Sequence, residues 1–287
     1  MKLAKILLTT AAVAAIAGLI LCSSTALATS AEDANAQGKN LLSKGDFKGA
    51  LKSFATAARA DRDNQEYLRN FSMLRQVVAL RSRLDKEQDP ERWEYIARAL
   101  QAYYTTEQIY PAALALGEKI HAKLNTADSA EALAETQLAM GKNVEAEKML
   151  AKLDPKKATL STKSLHGLAL VRLDKADKAE KIALGLAVPK DAGPREIYCA
   201  ARLQAAVGNV SEAVKLLATC MENVRPSLQD GYRAHAKQCD EFASLSSTDE
   251  FAKALATKSK VPESACSGGS KCAGCPNRAN CSKAAKE

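Results

Sequence analysis

QGKNLLSKGDFKGALKSFATAARAD, running from Gln37 to Asp61, decides the fold. Gly38, Leu41 and Leu42 precede a Gly45-Asp46-Phe47 turn, and Ala50, Phe54 and Ala57 follow at the three- and four-residue intervals that align side chains on one helix face. This reads as two helices joined in a hairpin. The backbones of such a pair approach closely only where a side chain is small, which gives Ala50 its place at the crossing. The alanine returns within a recurring frame as Ala113, Ala146, Ala179 and Ala213, at intervals of 63, 33, 33 and 34 residues.

Gly141, Ala146, Leu150 and Leu153 repeat the turn and second helix, and Asp154-Pro155 then stops the helix. Gly208, Val210, Ala213 and Leu217 do the same, Asp174, Ala176, Ala179 and Ala183 form a weaker copy, and Tyr110-Pro111-Ala112-Ala113 opens another. Twelve residues before the frame alanines stand Gly38, Gln101, Ala134, Gly167 and Ala201, so every unit except that of Ala113 also has a small residue in its first helix. The 63-residue interval is close to two periods. It holds one degenerate unit over residues 65–89, which reads as a single long helix through Leu68, Phe71, Leu74, Val77, Val78, Leu80 and Leu84.

The Gln37 to Asp61 stretch resembles a tetratricopeptide repeat, the helix-turn-helix unit of about 34 residues. The resemblance covers residues 32–245 and implies an all-α solenoid of five or six hairpins, each burying its neighbour's apolar face. It also implies a non-catalytic interaction module that holds a protein or peptide partner in the concave groove of the first helices. The Asn35 and Lys39 side chains flank Gly38 in the reverse order to the family's carboxylate-clamping pattern, so that specific mode is not carried over, but both residues fall at the groove. Trp93, Tyr95, Tyr103 and Tyr104 crowd one segment. Trp93, Ile96, Leu100 and Tyr103 share a face and are expected inside, which leaves Tyr95 and Tyr104 for the groove.

The ends of the chain differ from this body. Lys2 and Lys5, the uncharged apolar run Ile6 to Leu21 and Ala26-Leu27-Ala28 have the form of an export signal over residues 1–28. The expected location is therefore the periplasm, cell envelope or exterior, with no transmembrane span left after cleavage. The net charge is +8, yet Lys253 to Glu287 alone carries seven Lys or Arg and two Glu, so the basicity belongs to a tail taken as residues 246–287. Such a tail suits solubility or contact with an anionic envelope surface. With 5% aromatics and no interleaving of aromatic and basic residues, nucleic-acid binding is excluded.

Cys266, Cys272, Cys275 and Cys281 stand in the tail as C-x5-C-x2-C-x5-C among Gly, Ser, Asn and Pro. Four thiolates at this spacing can form a tetrahedral cage for zinc or an iron-sulfur cluster, and an oxidising compartment would instead pair them as disulfides. The run CAGCPNRANC resembles the cysteine segment of P-loop ATPases that scaffold iron-sulfur assembly, but no G-x4-G-K-[ST] loop accompanies it. Cys199, Cys220 and Cys239 lie in the last helical units, where a bridge between Cys199 and Cys220 within one hairpin is conceivable. No hydrolase, metalloprotease or dinucleotide-binding motif is present, and the acidic residues alternate with Lys as on solvated helix faces. A metal or redox protein that displays its tail is the alternative to the interaction module.

Overall fold

The computed structural model describes residues 30–154 and 158–262, and every regular element among them is helical. The described residues divide into two compact units, which part between Pro111 and Ala112. In the first, α1 (Ala31–Ser43) and α2 (Phe47–Ala60) form the hairpin read from the sequence. Gly38 is buried against Phe54, where a Cβ would stand 2.5 Å from the ring. Asp46 caps α2 by accepting from the Gly49 amide at 2.9 Å, and the Asn64 side chain caps α3 (Gln65–Leu84) through the Glu66 and Tyr67 amides. The stretch over residues 65–89 is thus one 20-residue helix, as its apolar spacing predicts. Packed against it is α4 (Pro90–Thr106), which starts on an Asp89 cap and Pro90.

The second unit takes in most of α5 (Tyr110–Leu124) and three stacked hairpins: α6 (Ala127–Ala139) with α7 (Asn143–Leu150), α8 (Leu160–Val171) with α9 (Ala176–Leu184), and α10 (Pro194–Ala206) with α11 (Val210–Asn223). All five frame alanines have 0% exposure, as do Ala134 and Ala201. A Cβ on Gly167 of α8 would meet Leu203 of α10 at 2.5 Å, so adjacent hairpins close over the small positions too.

The turns carry the same period in the backbone. Gly45, Gln108, Gly141, Asp174 and Gly208 each have φ between +56° and +83°, and each lies five residues before a frame alanine. At all five the left-handed residue bonds its amide three residues back, while the next amide reaches five back, the paired bonds of a Schellman stop. Gly45 meets nothing within 4 Å, so its glycine answers the left-handed φ and not a lack of room. Gln108 and Asp174 take the same conformation with a side chain. The backbone therefore restores the Ala113 unit, which lacks a small residue at Gln101.

Two expectations are corrected. The inner face of α4 carries Ile96, Ala97, Leu100, Gln101 and Tyr104, while Trp93 and Tyr103 are half-buried. Tyr104 is 2% exposed, because its ring packs 5.4 Å from Phe47 and its hydroxyl accepts from Arg81 Nη1 at 2.7 Å. It is a core residue and cannot line a groove. The packed body also continues beyond residue 245. After α12 (Pro226–Gln238) and a 3₁₀ turn (Asp240–Leu245), α13 (Asp249–Ala256) buries Phe251, Ala254 and Leu255 in one cluster with Leu217, Met221, Phe242 and Leu245. These segments cover the apolar end that a last repeat would otherwise expose. Residues 1–28, expected to form an export signal, and the tail cysteines Cys266, Cys272, Cys275 and Cys281 lie outside the described residues.

Candidate functional site

In the first unit a cavity of about 470 Å³ opens between α1, α3 and the C-terminal end of α4. Its floor is apolar: Leu42 of α1, Phe54 of α2, Met73 of α3 and Tyr103 of α4. Met73 keeps 46% of its surface exposed, a large figure for an apolar side chain at a concave wall. Charged residues make the rim, with Lys39, Glu66 and Arg69 on one side and Glu107, the residue that ends α4, on the other. Burial, followed by the Glu107 carboxylate and Tyr104, pushes the Tyr103 phenol up to about 12, so it stays a neutral hydrogen-bonding group at any physiological pH.

One wall of this cavity is fixed by polar contacts. Lys39 Nζ donates to Glu66 Oε1 at 2.8 Å, Asn35 Nδ2 donates to the same oxygen at 3.3 Å, and Asn70 Nδ2 donates to Asn35 Oδ1 at 3.0 Å. The Lys39 ammonium and the Asn35 amide hold the Glu66 carboxyl below its ordinary range. Sequence reasoning places Asn35 and Lys39 at a groove, and the structure puts Lys39 on the rim and Asn35 beneath it at 6% exposure. Asn35 thus acts through Glu66 and not by direct contact. Tyr95 is 76% exposed but does not line the cavity, and Tyr103 takes the place expected for Tyr104.

The second unit uses its polar groups on itself. Arg195 of α10 spans to α6, pairing with Glu135 at 3.0 Å and approaching Asp128 at 3.6 Å and Glu131 at 4.0 Å. Glu131 also accepts from Thr159, and its burial holds its carboxyl above the usual range. Glu241 of the 3₁₀ turn, with 5% of its side chain exposed, accepts from Arg172 at 2.6 Å and Arg202 at 3.3 Å, and Arg172 also donates to the Leu138 carbonyl. The Tyr198 hydroxyl and His235 Nδ1 are 2.7 Å apart. Helices of successive hairpins are therefore tied by these side chains, and a separate, smaller cavity of about 330 Å³ opens in this unit beside Leu160, Lys163, Pro189 and Asp191.

None of these residues stands out as a group in the sequence. Glu131 and Glu135 are four apart on α6, and Arg195 and Arg202 are seven apart on α10, spacings that place each pair on one face. That is the signal the sequence offers, masked by many similar charges on solvated faces. The three described cysteines form no disulfide. Cys199 lies 3.6 Å from a Glu135 oxygen, Cys220 points at the Pro194 carbonyl and Cys239 donates to Glu241. Burial raises all three thiols above their ordinary range, with Cys220 and Cys239 at about 12, and so keeps them from forming reactive thiolates. Among the described residues no group of His, Cys, Asp and Glu is arranged to hold a metal ion, and no helix is long and apolar enough to cross a membrane.

No protein-family model matches this chain, and no curated protein matches it. Among solved structures, the crystal structure of a thermophilic TPR protein from Thermus thermophilus aligns with 73% of this chain and 99% of its own, at 18% identity and a TM-score of 0.38.

Proposed function

We propose that the chain is an exported, non-catalytic helical-repeat protein that holds an extended segment of a protein partner in the groove of its N-terminal unit. The supporting observation is the contrast between the units. The N-terminal cavity has an apolar floor, an exposed Met73 and a rim of charged residues, whereas the inner side chains of the C-terminal unit are spent on Glu241 and Arg195. A concave apolar site of a few hundred Å³ with a small number of placed polar groups is the usual form of a binding pocket. The basic tail would add contact with an anionic envelope surface.

A photo-crosslinking residue at position 73 of the full chain, activated in the expressing cell, is expected to trap discrete partner adducts in the envelope fraction. Lys39→Glu, which turns the pair with Glu66 into a repulsion, should weaken those adducts several-fold. The same crosslinker at exposed Tyr95 should not reproduce them. Adducts identical at positions 73 and 95, and unaffected by Lys39→Glu, would overturn the assignment.

The spacing of Cys266, Cys272, Cys275 and Cys281 favours a second activity in the tail, with either two disulfides or a bound zinc ion or iron-sulfur cluster. Thiol counting in denaturant, coupled to metal analysis, separates the two. With Cys199, Cys220 and Cys239 unpaired, two tail disulfides give three reactive thiols per exported chain, and a metal site gives seven with one zinc ion, or the several irons of a cluster, released.

A further inference from the structure

The rim of the N-terminal cavity is not uniform in its pairing. Lys39 and Glu66 neutralise each other across 2.8 Å. Arg69 and Glu107 stand on different walls, α3 and the end of α4, and neither makes an ion pair or side-chain hydrogen bond at bonding distance among the described residues, although Arg69 stands near enough to Glu66 to help hold that carboxyl down. Between them lies the floor of Leu42, Phe54, Met73 and Tyr103. The groove charges without a direct bonded partner are therefore one cation and one anion, separated by an apolar pocket.

Resting on the groove reading above, we infer that the partner segment carries an apolar anchor residue flanked by an acidic residue on one side and a basic residue on the other, with the acidic one toward Arg69 and the basic one toward Glu107. Complementary charges at a rim contribute little net affinity, because both partners stay solvated, but they fix register and reject the opposite arrangement. An extended peptide can enter a groove in either direction. Two unlike charges at its two ends select one of them, since the reversed chain places like charges together. The asymmetry of Arg69 and Glu107 thus sets chain direction, while the apolar floor supplies the anchor.

The test is fluorescence polarisation with the full chain and nine-residue labelled peptides centred on Leu or Phe. The panel contains Glu-x-Leu-x-Lys, Lys-x-Leu-x-Glu and neutral Gln-x-Leu-x-Gln cores. Each charged order is expected to bind roughly three- to tenfold tighter than the neutral core but in opposite directions, so that a photo-crosslinker on the peptide's N-terminus labels the Arg69 side with the Glu-first order and the Glu107 side with the Lys-first order. The difference should shrink in 0.5 M salt. In the Arg69→Glu/Glu107→Lys double variant the labelled side should exchange between the two orders, and because both positions are exposed the variant should melt at the wild-type temperature. If all three peptides bind equally and Met73→Glu abolishes their binding, the charge code is wrong while the groove remains a peptide site. If no peptide binds in wild type or variant, and position 73 traps no partner in the cell, the groove reading itself is overturned.

Discussion

Glu241→Ala is expected to lower the stability of the C-terminal unit by about 3–5 kcal/mol, the usual cost of leaving a buried charge without its counter-ion. Arg202, at 9% exposure, has Glu241 as its ion-pair partner, and the same carboxylate takes Arg172 at 2.6 Å and the Cys239 thiol. Removing it strands Arg202 and detaches the 3₁₀ turn from α8 and α10. The loss comes from the stranded cation more than from the pair's intrinsic worth, so Arg202→Met/Glu241→Met should be less destabilised than either single change. Asp240→Ala, one residue away and exposed, should stay within about 0.5 kcal/mol of wild type. Chemical denaturation followed by circular dichroism reads all four proteins, and additive losses in the double variant would show that the pair is not coupled.

The same carboxylate gives stability a defined acid limb. Burial alone would raise the Glu241 carboxyl, but Arg202, the Cys239 hydrogen bond and Arg172 outweigh it and hold the group at about 2 against an ordinary 4.5. A carboxyl depressed by folding stabilises fully above its unfolded value and loses that contribution as pH falls toward the folded one. The shift corresponds to about 3 kcal/mol, present above pH 4.5 and withdrawn between about 4.5 and 2. His121, His166 and His235 are held below 6.5 by burial, so the folded protein resists charging them and weakens as pH falls below that value. Wild type should lose stability in two stages on acidification. Glu241→Ala should keep the first and lack the second, so its gap to wild type narrows below pH 4.5.

How much of this was legible depends on the range of the interactions involved. The crossings at Ala50, Ala146, Ala179 and Ala213 were legible because a helical hairpin writes its constraints within one period, and the buried Ala113 and the left-handed turn residues keep the same spacing. The long helix over residues 65–84 was legible for the same reason. The face of α4 was misread by about one position: its exposed side, Tyr95, Ala99, Ala102 and Thr106, carries no charge to mark it, and Tyr104 turns inward because Arg81 and Phe47 receive its hydroxyl and ring. The Arg172–Glu241 and Arg195–Glu135 pairs link residues 69 and 60 positions apart. Such pairs depend on how hairpins stack, which no local pattern records. At the groove, Lys39 followed from its place in the first helix, whereas Arg69, Met73 and Glu107 join it only once α3 and α4 have folded against the first hairpin.

Leu203→Ala is expected to cost about 2–5 kcal/mol, and the size of the repair available at Gly167 tests why the small positions of the frame exist. Leu203 is fully buried in the cluster of Leu138, Leu150, Leu165 and Leu168, and its methyl carbons lie 2.5 and 2.7 Å from where a Cβ on Gly167 would stand. In the wild-type background Gly167→Ala gains about 1 kcal/mol of helix propensity but forces Leu203 out of its place, for about 1–3 kcal/mol of overpacking, so it should be neutral to destabilising. In the Leu203→Ala background the obstruction is gone and the new methyl enters the cavity. There Gly167→Ala should stabilise by about 1 kcal/mol, a coupling of about 1–3 kcal/mol between positions 36 residues apart in sequence. The glycine would then be a space kept for the next hairpin's leucine. Strict additivity in the double-mutant cycle would instead mean that Gly167 is small for reasons within its own helix, and the close approach of α8 and α10 would lose its explanation.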